Sequence, residues 1–363
     1  MEAFGIEFHN TDHLEQEEKT GGWKLCRFPK DVTKNLGTEK NQKGKIRACH
    51  SQGCELRFSV DGSRFELILS AAEADAELLI YKGDMLYDSR ILKAGIISTV
   101  CVEEPQIFSE IEQKYLRRKQ FSPAIWRIQF GMHSFVCFHS LNAYGKAYRP
   151  PRPEEKPLVK WTAYGSSITS GSRTGIYSNC FINQAAVHLG YDVSNKGIAG
   201  SCLCEAVVAD YLAELDADVL SLELGINMLS LFDEKELECR FHTFLEKVKK
   251  SRANQIFIIN LFPCKNFWLK DQSSTLYRRS VFFREMAVRE MRAVNDKRFY
   301  LIPGEQVQKD SSYLSTDLLH PSDNGHIKMG VNLAQWMRLP EIIHNKENKE
   351  EKQESGGYTY GIF

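Results

Sequence analysis

The apolar periodicity of this chain changes once, and the change coincides with a proline-rich break. Residues 150–157 read PPRPEEKP. Four prolines in eight residues favour a stiff, extended segment and forbid a helix interior. Upstream the runs are short and alternate apolar with polar. Residues 54–60 read CELRFSV, Asp61-Gly62 follows, and residues 65–69 read FELIL. A DG pair between two alternating runs is a hairpin signal. Further short runs stand at 77–81, 95–102, 124–130 and 134–138, and 106–119 is ambiguous. Residues 1–150 therefore predict an all-β sandwich or jelly roll.

Downstream, strands and helices alternate. Strands are expected at 158–164, 191–195, 218–224, 255–261 and 299–303. Helices are expected at 178–189, 202–214, 233–250, 274–294 and 322–336. The near-continuous apolar strand at 255–261 is what a parallel sheet covered by helices on both faces requires. Residues 158–340 thus predict a three-layer α/β sandwich with a parallel sheet, flavodoxin-like in layout. The charged stretch NKENKEEKQESGG at 345–357 has too little apolar content to fold alone, and 345–363 is expected to be a solvated tail.

Charge excludes some functions. Lys plus Arg and Asp plus Glu both number 47, so no whole-domain positive field exists to hold nucleic acid. No apolar run approaches the ~18 residues of a membrane span. Residues 1–20 are acidic and lack an apolar core, so a secretory signal is not expected and a cytoplasmic location is. The ten cysteines lack a framework spacing and read as reduced thiols. The close pairs Cys49/Cys54 and Cys202/Cys204 have no partner pair at zinc spacing, so no metal is expected. There is no P-loop, and GIAG at 197–200 lacks the glycine pattern of a dinucleotide site.

Four segments at the ends of expected strands carry chemistry, and strand ends of an open α/β sheet converge on one crevice. The first is YGSSIT at 164–169, where a serine can hold its hydroxyl above the sheet edge. The second is NKGIAG at 195–200. The Gly200 N–H is a candidate oxyanion donor, aided by a helix beginning near Cys202. The third is ELGIN at 223–227, where the Asn227 amide is a further neutral donor. The fourth is DLLHP at 317–321. Here His320 suits a general base and Asp317 its orienter, with Pro321 fitting the first turn of the next helix. Together these supply the groups for acyl transfer through a tetrahedral intermediate. Arg173, in the loop after the first segment, and His326, six residues past His320, are candidates for substrate contact. His188 reads as a packed helix residue.

The four segments resemble the motif blocks of the SGNH (GDSL-type) hydrolase superfamily: GSSIT at 165–169, NKGIAG at 195–200, GINM at 225–228 and DLLHP at 317–321. The resemblance puts the nucleophile on Ser167 rather than Ser166. It puts the oxyanion donors on the Ser167 and Gly200 backbones and the Asn227 side chain, and the remaining triad members on Asp317 and His320. Ser166 stands where the family has Asp, and Met228 follows the asparagine where lipase-like members have Asp. A jelly-roll domain ahead of such a domain is similar to the layout of some bacterial carbohydrate (acetyl) esterases.

The resemblance implies a cofactor-free serine esterase acting on a short-chain, expectedly acetyl, ester of a small soluble molecule such as an acylated sugar. An acyltransferase using the same acyl-enzyme with an alcohol acceptor is the alternative. A non-catalytic carbohydrate-binding protein is the alternative from a different class. Oligomeric state is open.

Overall fold

The computed structural model describes residues 1–116, 119–132 and 134–338. The expected tail at 345–363 lies outside the described residues. The N-terminal half forms two antiparallel sheets packed face to face. One runs, in spatial order, Glu2–Ala3, Ile6–His9, Glu55–Val60, Trp126–Phe130, Ala76–Lys82 and Met85–Leu92, with Tyr148–Arg149 also pairing to Glu55–Val60. The other runs His13–Gln16, Trp23–Cys26, Phe135–Asn142, Arg64–Ala72 and Ile97–Glu103. Alternation places the inward residues: Phe65, Leu67, Leu69 and Ala71 are buried in one strand, and Leu56, Phe58, Ile80, Trp126 and Ile128 face them from the other sheet.

The expected hairpin across Asp61-Gly62 does not form. Glu55–Val60 and Arg64–Ala72 lie in different sheets. Their apolar faces meet across the sandwich instead, with the Phe58 and Phe65 rings edge to face at 5.0 Å. The turn carries the chain over the core, and the Asp61 N–H donates to the Ala147 carbonyl. Two short helices, Lys30–Lys34 and Lys43–Ala48, were not legible in the sequence. They are too short for a periodic apolar stripe. Phe28, Val32, Leu36 and Ala48 from this stretch join the core of the other half, beside Leu203, Val208 and Leu212.

The C-terminal half is the expected three-layer sandwich. Its parallel sheet runs Asp192–Asn195, Lys160–Tyr164, Val219–Glu223, Gln255–Ile259 and Phe299–Ile302. Helices Ala206–Glu214, Glu234–Val248 and Thr275–Ala293 cover one face. Helices Phe181–Leu189 and Asp323–Met337 cover the other. With apolar layers on both sides, Val219–Glu223 is buried at every position, which explains its unbroken character.

The halves meet through a buried ionic cluster. The Arg57 guanidinium donates to both Asp192 oxygens at 2.8 and 2.9 Å, to Glu7 at 3.1 Å and to Glu55 at 2.7 Å. Arg127 closes on the Glu55 carboxylate at 2.8 and 3.1 Å. Burial opposes the charge on Glu55, but Arg127 and Arg57 outweigh it and hold that carboxyl well below its usual range.

Candidate active site

The strand Lys160–Tyr164 lies between the edge strand Asp192–Asn195 and the central strand Val219–Glu223. Its exit loop therefore sits between theirs, as the topology of an open α/β sheet demands. The chain leaves it through Gly165, where a Cβ would stand 2.2 Å from the Thr169 hydroxyl and 2.7 Å from the Glu223 carboxylate. Only a glycine fits that approach. The turn is then closed by Ser170 N–H to the Ser166 carbonyl and Ser172 N–H to the Ser167 carbonyl, at 3.0 and 2.9 Å.

The two serines of the turn have different surroundings. Ser166 is fully buried and points down. Its N–H and its hydroxyl both donate to Glu223, each at 2.7 Å, and the Thr169 hydroxyl donates to the same carboxylate at 3.0 Å. Ser167 is half-buried, and its Oγ lies 2.8 Å from His320 Nε2. The His320 Nδ1 lies 2.8 Å from Asp317 Oδ2. The hydroxyl, imidazole and carboxylate form one line of hydrogen bonds.

The 317–320 loop is built to hold that line. Leu318 takes a left-handed backbone, φ 55°, which turns the chain sharply between Asp317 and His320. Asp317 Oδ1 then accepts from the Leu319 and His320 N–H groups at 2.9 Å and from the Ser315 hydroxyl at 3.0 Å. Burial opposes the Asp317 charge, but these donors and the His320 ring outweigh it. They hold the carboxyl well below the usual carboxylate range. Pro321 is not in the first helical turn. Ser322 caps the helix through the Gly325 N–H at 3.1 Å, and Pro321 precedes that cap.

Gly200 and Asn227 line one open cavity of about 360 Å³. Gly200 has φ 71°, with open space where a Cβ would point. The Asn227 Oδ1 accepts from the Cys202 N–H at 3.1 Å, which leaves the amide N–H groups of Asn227 to face elsewhere. The helix expected from Cys202 starts at Ala206, so its positive end is not at Gly200. What fixes the glycine loop comes largely from residues sequence reasoning missed. Fully buried Arg27 donates to the carbonyls of Asn195 and Gly197 at 3.0 and 3.1 Å. Asn41 donates to the Gly200 carbonyl at 2.9 Å. Both reach across some 160 residues of chain, and no local pattern announces them. Glu223 did leave a signal: an acid within the apolar run VLSLEL.

The Arg173 Nε lies 3.7 Å from Asp317 Oδ2, on an exposed side chain. The expectation of a substrate contact at His326 meets a different arrangement. Its ring is 0% exposed, with Nδ1 accepting from the Phe181 N–H at 3.3 Å and Nε2 3.0 Å from the Ser172 carbonyl. Burial pushes it down to about 4. His326 anchors the loop behind Ser167 and presents nothing to a ligand.

Two groups among the described residues have the spacing to hold a metal, His13/Glu15/Cys26 and Glu7/His9/Asp192. In the second, Arg57 already binds both carboxylates. Neither group contains a residue of the Ser167 line or of the Gly200 cavity.

A sequence profile of the GDSL-like lipase/acylhydrolase family matches residues 155–338, half of the chain. The chain belongs to the GDSL-like lipase/acylhydrolase family. Solved structures share the fold of both halves. A salicylyl-acyltransferase, SsfX3, from a tetracycline biosynthetic pathway aligns with TM-score 0.75 at 17% identity, covering 93% of this chain and 96% of that one. A family two carbohydrate esterase from Clostridium thermocellum, in complex with cellohexaose, aligns at 0.61 and 14%, covering 92% and 98%. Another from Cellvibrio japonicus aligns at 0.59 and 12%, covering 93% and 95%. No curated protein matches this GDSL-family chain in sequence.

Proposed function

We propose that the protein is a serine esterase that cleaves a short-chain ester of a small, polar substrate through an acyl-enzyme on Ser167. The observation that carries this reading is the unbroken line from Ser167 through His320 to Asp317, with 2.8 Å at each link. His320 takes the proton from the Ser167 hydroxyl as Oγ attacks the ester carbonyl. Asp317, held ionised by its four donors, keeps the Nδ1 proton in place, so Nε2 is the base. The N–H groups of Ser167 and Gly200 and the amide of Asn227 take the oxyanion. His320 then protonates the leaving alcohol and activates water to release the acid. Each step uses only the chain's own groups.

The fold shared with carbohydrate esterases supports an acylated sugar as the substrate. Ten free thiols suit a reducing compartment, in keeping with a cytoplasmic enzyme. A second reading is favoured by one observation. The cavity beside Gly200 and Asn227 is open and rimmed by polar side chains, which gives an alcohol acceptor room to replace water. Transfer of the acyl group to that acceptor would use the same Ser167 intermediate, and the likeness to a salicylyl-acyltransferase is in keeping with it.

Hydrolysis of 4-nitrophenyl acetate by the wild type, Ser167→Ala and Ser166→Ala tests the reading. Ser167→Ala should lose at least about 10³-fold in kcat, while Ser166→Ala keeps measurable turnover. Equal rates in all three would refute it. A rate that rises with added sugar or glycerol, with the acylated alcohol as product, would select transfer over hydrolysis.

A further inference from the structure

The cavity beside the oxyanion donors is walled by the N-terminal half. Residues 40–43 form that wall, and they are fastened in place. Asn41 donates to the Gly200 carbonyl at 2.9 Å, and the Ser201 hydroxyl donates back to Asn41 Oδ1 at 3.2 Å. Asn41 Oδ1 also accepts from the Lys43 N–H at 3.1 Å, and the Gly37 N–H reaches Glu205 at 3.2 Å. The wall is therefore a fixed part of the site.

Its charge is one-sided. Lys40 and Lys43 both line the cavity, together with Gly200, Asn227 and the apolar Ile226 and Leu231, and no carboxylate lines it. Neither lysine side chain makes an ion pair or hydrogen bond among the described residues. Glu39, their neighbour in sequence, is exposed and does not line the cavity. On the side of Ser167 toward Asp317 stands a third cation, Arg173, with 63% of its side chain exposed. In a chain whose formal charge is zero, this clustering is local. Some other lysines are matched by carboxylates, as Lys30 is by Glu15 and Lys247 by Asp210. Arg173 is shared with the Asp317 carboxylate, whereas Lys40 and Lys43 are unmatched, and a concave site edged by unmatched lysines concentrates anions and orients them.

We infer that the ester this site takes carries an anionic group, a carboxylate or phosphate, seated against Lys40 and Lys43. The inference rests on the esterase reading and narrows its substrate class. The anion could belong to the acyl half or to the alcohol half, and two pairs of esters separate these. For the acyl half, 4-nitrophenyl hydrogen succinate is compared with 4-nitrophenyl butyrate. For the alcohol half, 4-acetoxybenzoate is compared with its methyl ester.

In one pair the anionic ester should be preferred about tenfold or more in kcat/KM, chiefly through KM. That preference should shrink as salt is raised, because the lysines are exposed. The double variant Lys40→Gln/Lys43→Gln should abolish it. If the neutral member of both pairs is turned over as well as the anionic one, the inference is overturned while the esterase reading stands. If no ester is turned over, the esterase reading fails, and calorimetry decides the inference instead. Binding of 4-acetoxybenzoate that is lost in the double variant would support the anion site, and absence of binding would overturn it.

Discussion

At the scale of single residues, the site depends on two neighbouring serines with separate duties. Ser167 presents its hydroxyl to His320, and Ser166 turns its own down onto Glu223. The carboxylate beneath the turn thus comes from the adjacent strand rather than from the position where the family carries Asp. Burial pushes the Glu223 carboxyl up, against the hydrogen bonds from Ser166 and Thr169. Glu223→Gln puts a donor against donors. It should lower kcat about 10- to 100-fold by displacing Ser167, with smaller change in KM. Steady-state kinetics beside the milder Glu223→Asp check this, and a kcat equal to wild type would show that the turn holds itself. The segments that the structure brings together at Ser167, His320 and Asp317 were legible because each is a contiguous motif with its own loop geometry. Glu223 was visible as an acid in an apolar strand but carried no assigned role, since its partners lie 54 and 57 residues away. His326 stands near His320 in sequence, but its position on the helix Asp323–Met337 turns it inward, so proximity along the chain does not bring it to the ligand side.

At the scale of elements, the helices of the C-terminal half were legible from their apolar period and its inner strands from their near-continuous apolar runs. The pairing of short N-terminal strands was not. Alternation fixes which residues face inward, but not which of two sheets a strand joins, so Asp61-Gly62 gave a crossing and not a hairpin. Nor do side chains that reach a distant element leave a local pattern. Arg57, on the strand Glu55–Val60, binds Asp192 at the start of the first edge strand of the parallel sheet. Removing one member of a buried ionic cluster leaves the others unpaired. Arg57→Ala should therefore cost about 3–5 kcal/mol of stability by denaturant unfolding, and a loss below about 1 kcal/mol would mean solvent reaches the cluster freely. Asn41→Ala acts on function instead. By releasing the wall from the Gly200 carbonyl it should raise KM and lower kcat together, with a thermal midpoint close to wild type. An unchanged kcat/KM would show that the wall does not set the glycine loop.

At the scale of the whole molecule, the N-terminal half helps build the proposed site, since Arg27 and Asn41 hold the glycine loop and residues 28–48 complete one core. Lys196 lies buried at this junction, its ammonium donating to the Arg27 carbonyl. Burial lowers it to about 7, against an ordinary value of 10.5. Between those values the unfolded chain binds more protons than the folded one, so stability attributable to this group rises with pH across that window. Lys196→Met removes the titration. Its thermal midpoint relative to wild type should be highest below pH 7 and should fall toward pH 10, and a pH-independent difference would contradict the buried charge. The account as a whole turns on Ser167. The most direct measurement is acid quenching during turnover of 4-nitrophenyl acetate, followed by intact mass and peptide mapping. It should find one acetyl group on the peptide containing Ser167, absent in Ser167→Ala and present in Ser166→Ala. An acetyl group on another residue, or equal labelling of Ser167→Ala, would contradict it.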